Sequence, residues 1–386
     1  MASGDFCVKI ATQPVMSAAE EVSRQFQVPG RLVAIEMIGT GNVNDTYRVI
    51  QRTTFSEEQF ILQRINQAVF KDPAAVMMNI KAVTDHTHRR IDAEADQADR
   101  IWQLPRVIPT LDDQAHFCDE DGDYWRALSL IASTKTYDKV TNPQIAFEAG
   151  VVLGNFQRLI SDFPIDELQD TLPGFHITPG YLADYDSVLA DNPEAKKRLD
   201  VSTEAMRLAN FVEKRRDFAP LLEDALSRGE LKLRPIHGDP KITNIMIDTF
   251  TGKGTSIIDL DTVKPGLVHY DFGDSARSSC NPAGEETKNL SQVFLDTDLF
   301  EALVSGYLRE AKNFLTEADR NYLYDSVRLI TFELGLRFFA DYLAGDVYFK
   351  TTYPDQNLNR ARVQFALCES IEARESLMRS TLEKVQ

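Results

Sequence analysis

His237-Gly-Asp239-Pro-Lys241-Ile-Thr-Asn244, followed by Ser256-Ile-Ile-Asp259-Leu260, is the stretch on which the reading of this chain turns. It sets a His, two Asp and an Asn at the spacing of a phosphoryl-transfer site. The chemistry needs these residue types for separable reasons. A nucleoside triphosphate carries most of the reactive machinery, so the protein mainly positions groups and neutralises charge. An Asp aligns the acceptor hydroxyl and takes its proton, and Asp239 is the candidate for that role. A second Asp and an Asn supply hard oxygen donors to magnesium, which keeps several waters and bridges the phosphates. Asn244 and Asp259 are the candidate ligands.

Local structure is expected to bring those ligands together. Asn244-Ile-Met-Ile247 reads as a strand, Thr249-Phe-Thr-Gly252-Lys-Gly254 as a turn and Thr255-Ser-Ile-Ile-Asp259 as the return strand. A hairpin centred on that turn sets Asn244 opposite Asp259, and cross-strand Cα atoms lie about 4.5–5.5 Å apart. The step from His237-x-Asp239 to Asn244 matches the protein-kinase catalytic loop, H-x-D-x-x-x-x-N. Asp271-Phe272-Gly273 spells the kinase D-F-G, yet it lies thirty-two residues past Asp239, whereas Asp259 lies twenty past it. Asp271 is therefore read as a structural acid that bonds the catalytic loop, and Asp259 as the metal-binding aspartate.

The first third offers a phosphate cover and an adenine slot. Ile35-Glu-Met-Ile-Gly39-Thr-Gly41-Asn-Val-Asn44-Asp45-Thr46-Tyr47-Arg-Val is apolar, glycine-rich, then apolar again. That reads as two strands around a loop whose backbone amides approach phosphates, with Gly39, Gly41, Asn44 and Thr46 as contact candidates. Alone, Gly-x-Gly favours an ordinary hairpin turn; upstream of Asp239, Asn244 and Asp259 it becomes the expected phosphate cover. Tyr124-Trp-Arg-Ala-Leu-Ser-Leu-Ile131 is another strand, and Ala132-Ser133-Thr134 leaves it. Leu130 and Ala132 are the expected backbone partners of adenine, at a hinge between lobes.

His237-Gly-Asp239-x-x-x-x-Asn244 with Ile258-Asp259-Leu-Asp261 resembles the aminoglycoside phosphotransferase and choline kinase superfamily, small-molecule relatives of protein kinases. Longer stretches resemble the N-acetylhexosamine 1-kinases within it: Gly39-x-Gly41-x-x-Asn44-x-Thr46-Tyr47, Phe60-Ile-Leu-Gln-Arg-Ile-Asn66 and Ile258-Asp-Leu-Asp-Thr262-x-x-Pro265-Gly266. Asp271-Phe-Gly-Asp-Ser-x-Arg277 and Gly335-x-Arg337-Phe-x-Ala-Asp341-Tyr-Leu-x-Gly345-Asp346-x-Tyr348-Phe349 are similar too. The resemblance implies an α+β, bilobal, protein-kinase-like fold. It also implies transfer of the ATP γ-phosphate to the anomeric hydroxyl of N-acetylglucosamine or N-acetylgalactosamine, with Asp239 as base and magnesium on Asn244 and Asp259. By the same resemblance Arg337 and Tyr348 touch the sugar or its phosphate, Arg277 lies close by and His176 matches a related stretch. Each has a plainer alternative: a salt bridge for the arginines, a packed aromatic for Tyr348, a capping histidine for His176.

Two departures stand out. Protein kinases place a strand lysine on the α- and β-phosphates, paired to a helix glutamate. Here the strand Phe60-Ile-Leu-Gln63-Arg64 puts Gln63 at the lysine position, and the helix Ala74-Ala-Val-Met-Met-Asn79-Ile-Lys81-Ala-Val offers no glutamate. Arg64 or Lys81 remains to supply charge, although one strand register turns Arg64 to the face opposite Gln63. The second departure is Ser278, where the sugar kinases carry a larger aromatic; a position there bordering the substrate would alter sugar preference.

Composition excludes several rivals. The chain of 386 residues carries a net charge of −17, which argues against nucleic acid or an anionic membrane as partner. Its four cysteines are scattered without metal or disulfide spacing, no apolar run reaches a membrane span, and the start has no basic-then-apolar signal, so a reducing cytoplasm is the default expectation. The expected partner is a small-molecule sugar, and the expected state a monomer or weak homodimer. Residues 1–132 are expected to form a small nucleotide-binding lobe of antiparallel sheet with one main helix. Residues 133–386 are expected to form a large, mostly helical catalytic and substrate-binding lobe. The stretch Ile91–Arg100 is a charge run read as a surface loop. A kinase for another small alcohol (another hexose, an aminoglycoside, choline or homoserine) is the alternative function. A non-catalytic nucleotide-binding pseudokinase is the alternative from a different class.

Overall fold

A computed structural model describes residues 13–38, 43–95 and 99–385. The chain divides into two compact units. The first comprises Met1–Ser133 with two short returns, Asp166–Leu172 and Leu260–Val263; the second takes Thr134–Ile165, Pro173–Asp259 and Lys264–Gln386. The returns are tied by Asn79, whose Nδ2 donates to the carbonyls of Gln169 (2.8 Å) and Val263 (2.9 Å) and whose Oδ1 accepts from Gln169 N–H (3.0 Å). A buried amide so placed satisfies backbone groups that would otherwise be buried unpaired.

The first unit contains α1 (Gln13–Ser23), β1 (Arg31–Met37), β2 (Asp45–Arg52), β3 (Glu57–Arg64), α2 (Pro73–Glu94), β4 (Val107–Ile108), β5 (Phe117–Cys118) and β6 (Tyr124–Ser129). Its sheet is antiparallel, in the order β1-β2-β3-β6-β4, with β5 also on β6. Alternation along the strands divides its side chains between two faces. Tyr47, Val49, Phe60, Leu62, Trp125 and Ala127 turn to the face where they pack with Ala19, Val22 and Phe26. Burying each large apolar side chain of such a set contributes about 1.5–3 kcal/mol. Asp72 caps α2 by accepting from Ala75 N–H (3.0 Å), with Pro73 in the first turn. The helix runs through Ile91–Glu94, so the first part of the expected surface loop is the last turn of α2.

The second unit is helical around small ribbons. It holds β7 (Thr134–Lys135), α3 (Pro143–Ile160), α4 (Thr178–Asp191), α5 (Pro193–Val201), α6 (Thr203–Glu213), α7 (Leu221–Ser227), β8 (Arg234–Ile236), β9 (Ile245–Asp248), β10 (Gly254–Ile257) and β11 (Lys264–Gly266). α8 (Val268–Ser279), α9 (Thr297–Ala311), α10 (Glu317–Asn321), α11 (Leu323–Ala344), α12 (Gln356–Glu372) and α13 (Glu375–Lys384) follow. The ribbons are β10-β9-β7 and β11-β8. Phe211, Phe332, Phe339 and Phe365 belong to a core built largely by α4–α6, α11 and α12. α3 crosses α9 at backbone contact: a Cβ on Gly150 would stand 2.1 Å from Leu303 O, and one on Gly306 would stand 2.0 Å from Phe147 O. No helix among the described residues is long and apolar enough to cross a membrane.

Candidate active site

The candidate catalytic loop begins at the end of β8, and three buried side chains brace its first residues. His237 is fully buried; its Nδ1 accepts from Asp239 N–H (3.2 Å) and its Nε2 faces Ile258 O (3.0 Å). A backbone N–H only donates and a carbonyl only accepts, so His237 is neutral with its proton on Nε2. Burial lowers its pKa in the same sense, against the pull of Asp271 and Asp239. Asp271, on α8, accepts from His237 N–H (2.9 Å), Gly238 N–H (2.8 Å) and Gln157 Nε2 (3.0 Å). The D-F-G look-alike thus braces the loop, as its position in sequence suggested. Burial pushes the Asp271 carboxyl up, opposed by His237 and by those three donors.

His176 is the third brace. Its Nε2 meets Gly238 O at 2.7 Å and its Nδ1 meets Glu333 Oε1 at 2.9 Å, while Glu333 Oε2 accepts from Thr178 Oγ1 (2.7 Å). Burial acts to lower its pKa, but Glu333 outweighs it and the net shift is upward. With 4 % of its surface exposed and both ring nitrogens engaged by Glu333 and Gly238, His176 has the geometry of the structural alternative.

These braces hold Asp239 beside Asn244 and Lys241. Asn244 Nδ2 donates to Asp239 O (2.7 Å) and more loosely to Oδ2 (3.3 Å); Lys241 Nζ lies 2.5 Å from Oδ2. The recorded side-chain contacts of Asp239 fall on Oδ2, and Oδ1 accepts no hydrogen bond among the described residues. Burial works to lower the Lys241 pKa, but Asp239 and Asp259 outweigh it and raise it, so the ammonium stays charged. The motif by itself assigns Lys241 no role. The signal that finds it is a lysine two residues past the candidate base.

The hairpin forms with one adjustment. Asn244 closes a 3₁₀ turn (Ile242–Asn244) and the strand starts at Ile245, which pairs with Ile257. Ile258 N–H donates to Asn244 O (2.9 Å), so the residue opposite Asn244 is Ile258, one before Asp259. Asp259 itself is exposed and turns out of the strand with φ +66°. The pair offers one carboxylate and one amide oxygen, hard donors suited to an ion that keeps waters and takes phosphate oxygens as well. No group of three or more His, Cys, Asp or Glu able to hold a metal occurs among the described residues.

Arg337, on α11, is a cation in an aromatic cage. Its guanidinium carbon lies 5.3 Å from the Phe175 ring, 4.8 Å from Tyr181 and 5.6 Å from Phe349. It has no hydrogen bond or ion pair among the described residues. Burial works against its charge, but Tyr181, Glu333, Tyr348 and Asp239 outweigh it. Tyr348 is 59 % exposed, which removes the packed-aromatic alternative, and its ring stands edge-on to Phe349 at 4.8 Å. Arg277 is 3 % exposed and bridged to Asp274 (2.6 Å) and Glu285, so it takes the salt-bridge alternative. Ser278 Oγ accepts from Ile242 N–H (3.1 Å) and so supports the catalytic loop; an aromatic there could not make that bond.

In the first unit, Thr46, Gln63 and Arg126 form one row across β2, β3 and β6, on the face opposite the apolar core. Gln63 Nε2 donates to Thr46 Oγ1 (3.0 Å), and Arg126 Nε donates to Gln63 Oε1 (2.8 Å). Arg126, 1 % exposed, is ion-paired with Asp261, which also accepts from Asn44 Nδ2 at 2.5 Å. The cation beside Gln63 is therefore Arg126, and neither of the two expected residues supplies it. Arg64 faces Asp45 (2.6 Å) and Asp123 (2.8 Å) from the other face, and Lys81 pairs with Asp85 (2.6 Å) on α2. Leu130 is half-buried and Ala132 exposed, directly after β6. Gly39 and Gly41 lie outside the described residues.

Solved structures share this fold at low sequence identity. A microcompartment-associated aminopropanol kinase is 15% identical with a TM-score of 0.59, covering 94% of this chain and 98% of that one. An aminoglycoside phosphotransferase from Alicyclobacillus acidocaldarius is 14% identical with a TM-score of 0.60, covering 94% and 96%. A choline kinase from Cryptosporidium parvum is 12% identical with a TM-score of 0.57, covering 96% and 98%. The family model for phosphotransferase enzymes of the APH type matches residues 34–308, and the chain belongs to that phosphotransferase enzyme family.

Proposed function

We propose that this protein uses ATP and magnesium to phosphorylate the anomeric hydroxyl of a neutral hexosamine, N-acetylglucosamine or N-acetylgalactosamine. The family supplies the reaction class, phosphotransfer to the alcohol of a small molecule. ADP occupies one structure of this fold, a spectinomycin phosphotransferase 14% identical over 92% of this chain (TM-score 0.54), which supports ATP as donor.

The observation that carries the acceptor class is Arg337. An aromatic cage is the usual receptor for a quaternary ammonium such as choline. Here Phe175, Tyr181 and Phe349 are occupied by the chain's own guanidinium. A second cation, from choline or an aminoglycoside, would meet like charge in a poorly solvated setting, where repulsion is strong. A neutral sugar avoids that cost, and the phosphate it acquires gains a partner.

The chain's residues then divide the work. Asp239 accepts the hydroxyl proton on Oδ1 as the sugar oxygen bonds to the γ-phosphorus and the bond to the β-phosphate oxygen breaks, releasing ADP. Lys241, held against Asp239 and near Asp259, supplies fixed positive charge beside the base. Asn244 and Asp259 would hold magnesium, which when bound neutralises phosphate charge. Arg126 keeps Gln63 oriented on the nucleotide face of the sheet.

The test is ADP release across N-acetylglucosamine, N-acetylgalactosamine, glucose, galactose, choline and kanamycin, with phosphorus NMR of the product. An anomeric phosphate on a hexosamine is expected. Phosphate on the sixth carbon, or turnover of choline or kanamycin above the sugars, would overturn the reading while leaving the phosphotransferase intact.

A further inference from the structure

Glu333, Arg337 and Asp341 recur every four residues along α11 and so stand in one row on the helix. Glu333 is engaged by His176 and Thr178, and Arg337 by its three rings. Asp341, 6 % exposed, has no part in either arrangement. Its position does not favour the helix: a carboxylate in the last turn opposes the negative end of the macrodipole.

What Asp341 does is collect backbone. α11 stops at Gly345 (φ +106°), and Asp346 (φ +62°) continues the reversal, with Gly345 N–H on Tyr342 O (3.1 Å) and Asp346 N–H on Asp341 O (2.8 Å). The chain then doubles back over the carboxylate. Val347 N–H and Tyr348 N–H donate to Oδ1 at 3.0 and 2.8 Å, and Phe349 N–H donates to Oδ2 at 3.0 Å. Fully buried Asn357 donates to Oδ2 (2.9 Å) and to Asp346 Oδ1 (3.0 Å), and Arg198 donates to Asp346 Oδ2 (2.7 Å). Three consecutive amides on one buried carboxylate fix both the path and the rotation of that segment, because charge-assisted bonds are the strong ones. The segment carries Phe349, a wall of the Arg337 cage, and Tyr348, which stands edge-on to it.

We propose that Asp341 is a positioning residue of the acceptor site: it anchors the Val347–Phe349 backbone so that Tyr348 and Phe349 stand at Arg337 in the geometry the acceptor sugar requires. This rests on the reading that Arg337 and Tyr348 meet the acceptor or its phosphate. Asp341 touches neither substrate, so its loss acts through the segment it holds.

The test uses the full-length chain and the acceptor giving the fastest ADP release in the panel above, with KM measured separately for acceptor and ATP. Asp341→Asn keeps the shape but weakens the anchor. It should raise the acceptor KM about tenfold or more, the scale of a bond to a charged group, and leave the ATP KM within about twofold. Amide hydrogen exchange at 347–349 should rise with it. Asp346→Asn, which loosens only the outer support, should show the same split more weakly, and it stands in if Asp341→Asn fails to fold. Acceptor and ATP KM rising together, or faster exchange with an unchanged acceptor KM, overturns the inference. Arg337→Ala separates the two levels. If that variant leaves the acceptor KM unchanged, the site reading falls; if it raises the acceptor KM while Asp341→Asn does not, only the inference falls. No ADP release with any acceptor overturns both.

Discussion

His176 Nε2 lies 2.7 Å from the carbonyl oxygen of Gly238, one residue before the candidate base Asp239. The N–H of Gly238 donates to Asp271 at 2.8 Å, so this peptide is held at both ends by buried side chains. A loop fixed in this way presents its aspartate without reorganising, which is what positioning contributes to phosphoryl transfer.

Replacing His176 by Ala leaves the Glu333 carboxylate buried without its cation. Breaking such a pair costs about 3–5 kcal/mol. The folded-state pKa of His176 lies above its unfolded value of about 6.5, so its contribution is complete below that pH and is lost as pH rises through the folded value. The stability gap between wild type and His176→Ala, read from urea unfolding, should therefore be widest below about pH 6.5 and narrow on the alkaline side. A gap constant across pH would show that His176 is neutral in the fold.

Asp239→Asn keeps the bond from Asn244 to the backbone carbonyl of residue 239 but removes the proton acceptor. Turnover should fall by about 10² or more, with nucleotide binding retained. Coupled-assay rates together with a fluorescent-nucleotide titration separate the two. Near-normal rates would take Asp239 out of the base role.

Arg126→Met strips the cation from Asp261, which is 3 % exposed, and leaves Asn44 as its partner. A loss of about 3–5 kcal/mol is expected in denaturant unfolding, with part recovered by Arg126→Lys. Gln63 loses the donor to its Oε1 in the same variant, so nucleotide affinity should drop beyond what stability explains.

His269 meets Asp319 O through Nε2 (2.8 Å), and its buried Nδ1 has no partner among the described residues. Burial lowers its pKa to about 4. The unfolded chain takes up the proton first, so stability contributed by neutral His269 is present above about pH 6.5 and is lost as pH falls toward 4. The loss between pH 7 and 5 amounts to about 2 kcal/mol. His237, also buried and shifted downward, adds to the same acid limb. His269→Gln should flatten that limb in chemical unfolding at stepped pH; an unchanged slope would mean the ring is charged in the fold.

Much of the second unit's candidate site was legible because it is local. His237 to Asn244 is one loop and Asn244 to Asp259 one hairpin, and short-range spacing dictates both. The hairpin was misplaced by only one residue, since a 3₁₀ turn and a left-handed Asp259 at its open end leave no mark in the alternation pattern. The fates of Arg277 and His176 were illegible for the opposite reason: their partners, Glu285 and Glu333, are chosen by packing. Arg126 escaped notice because a cross-strand neighbour of Gln63 sixty-three residues away is set by sheet register.

By itself, then, the sequence determined the reaction class and singled out Asp239, Asn244 and Asp259 as candidates for the base and the metal donors, because phosphoryl transfer demands particular side chains at particular short intervals. Tertiary structure alone decided which charges are satisfied by carboxylates and which are walled by rings. Arg277 and Arg337 are the same residue type sixty positions apart. One is neutralised by Asp274 and Glu285, while the other is walled by three rings with no carboxylate partner among the described residues. The reason is physical: the state of a charge is defined by what surrounds it in three dimensions, and no interval along the chain encodes that.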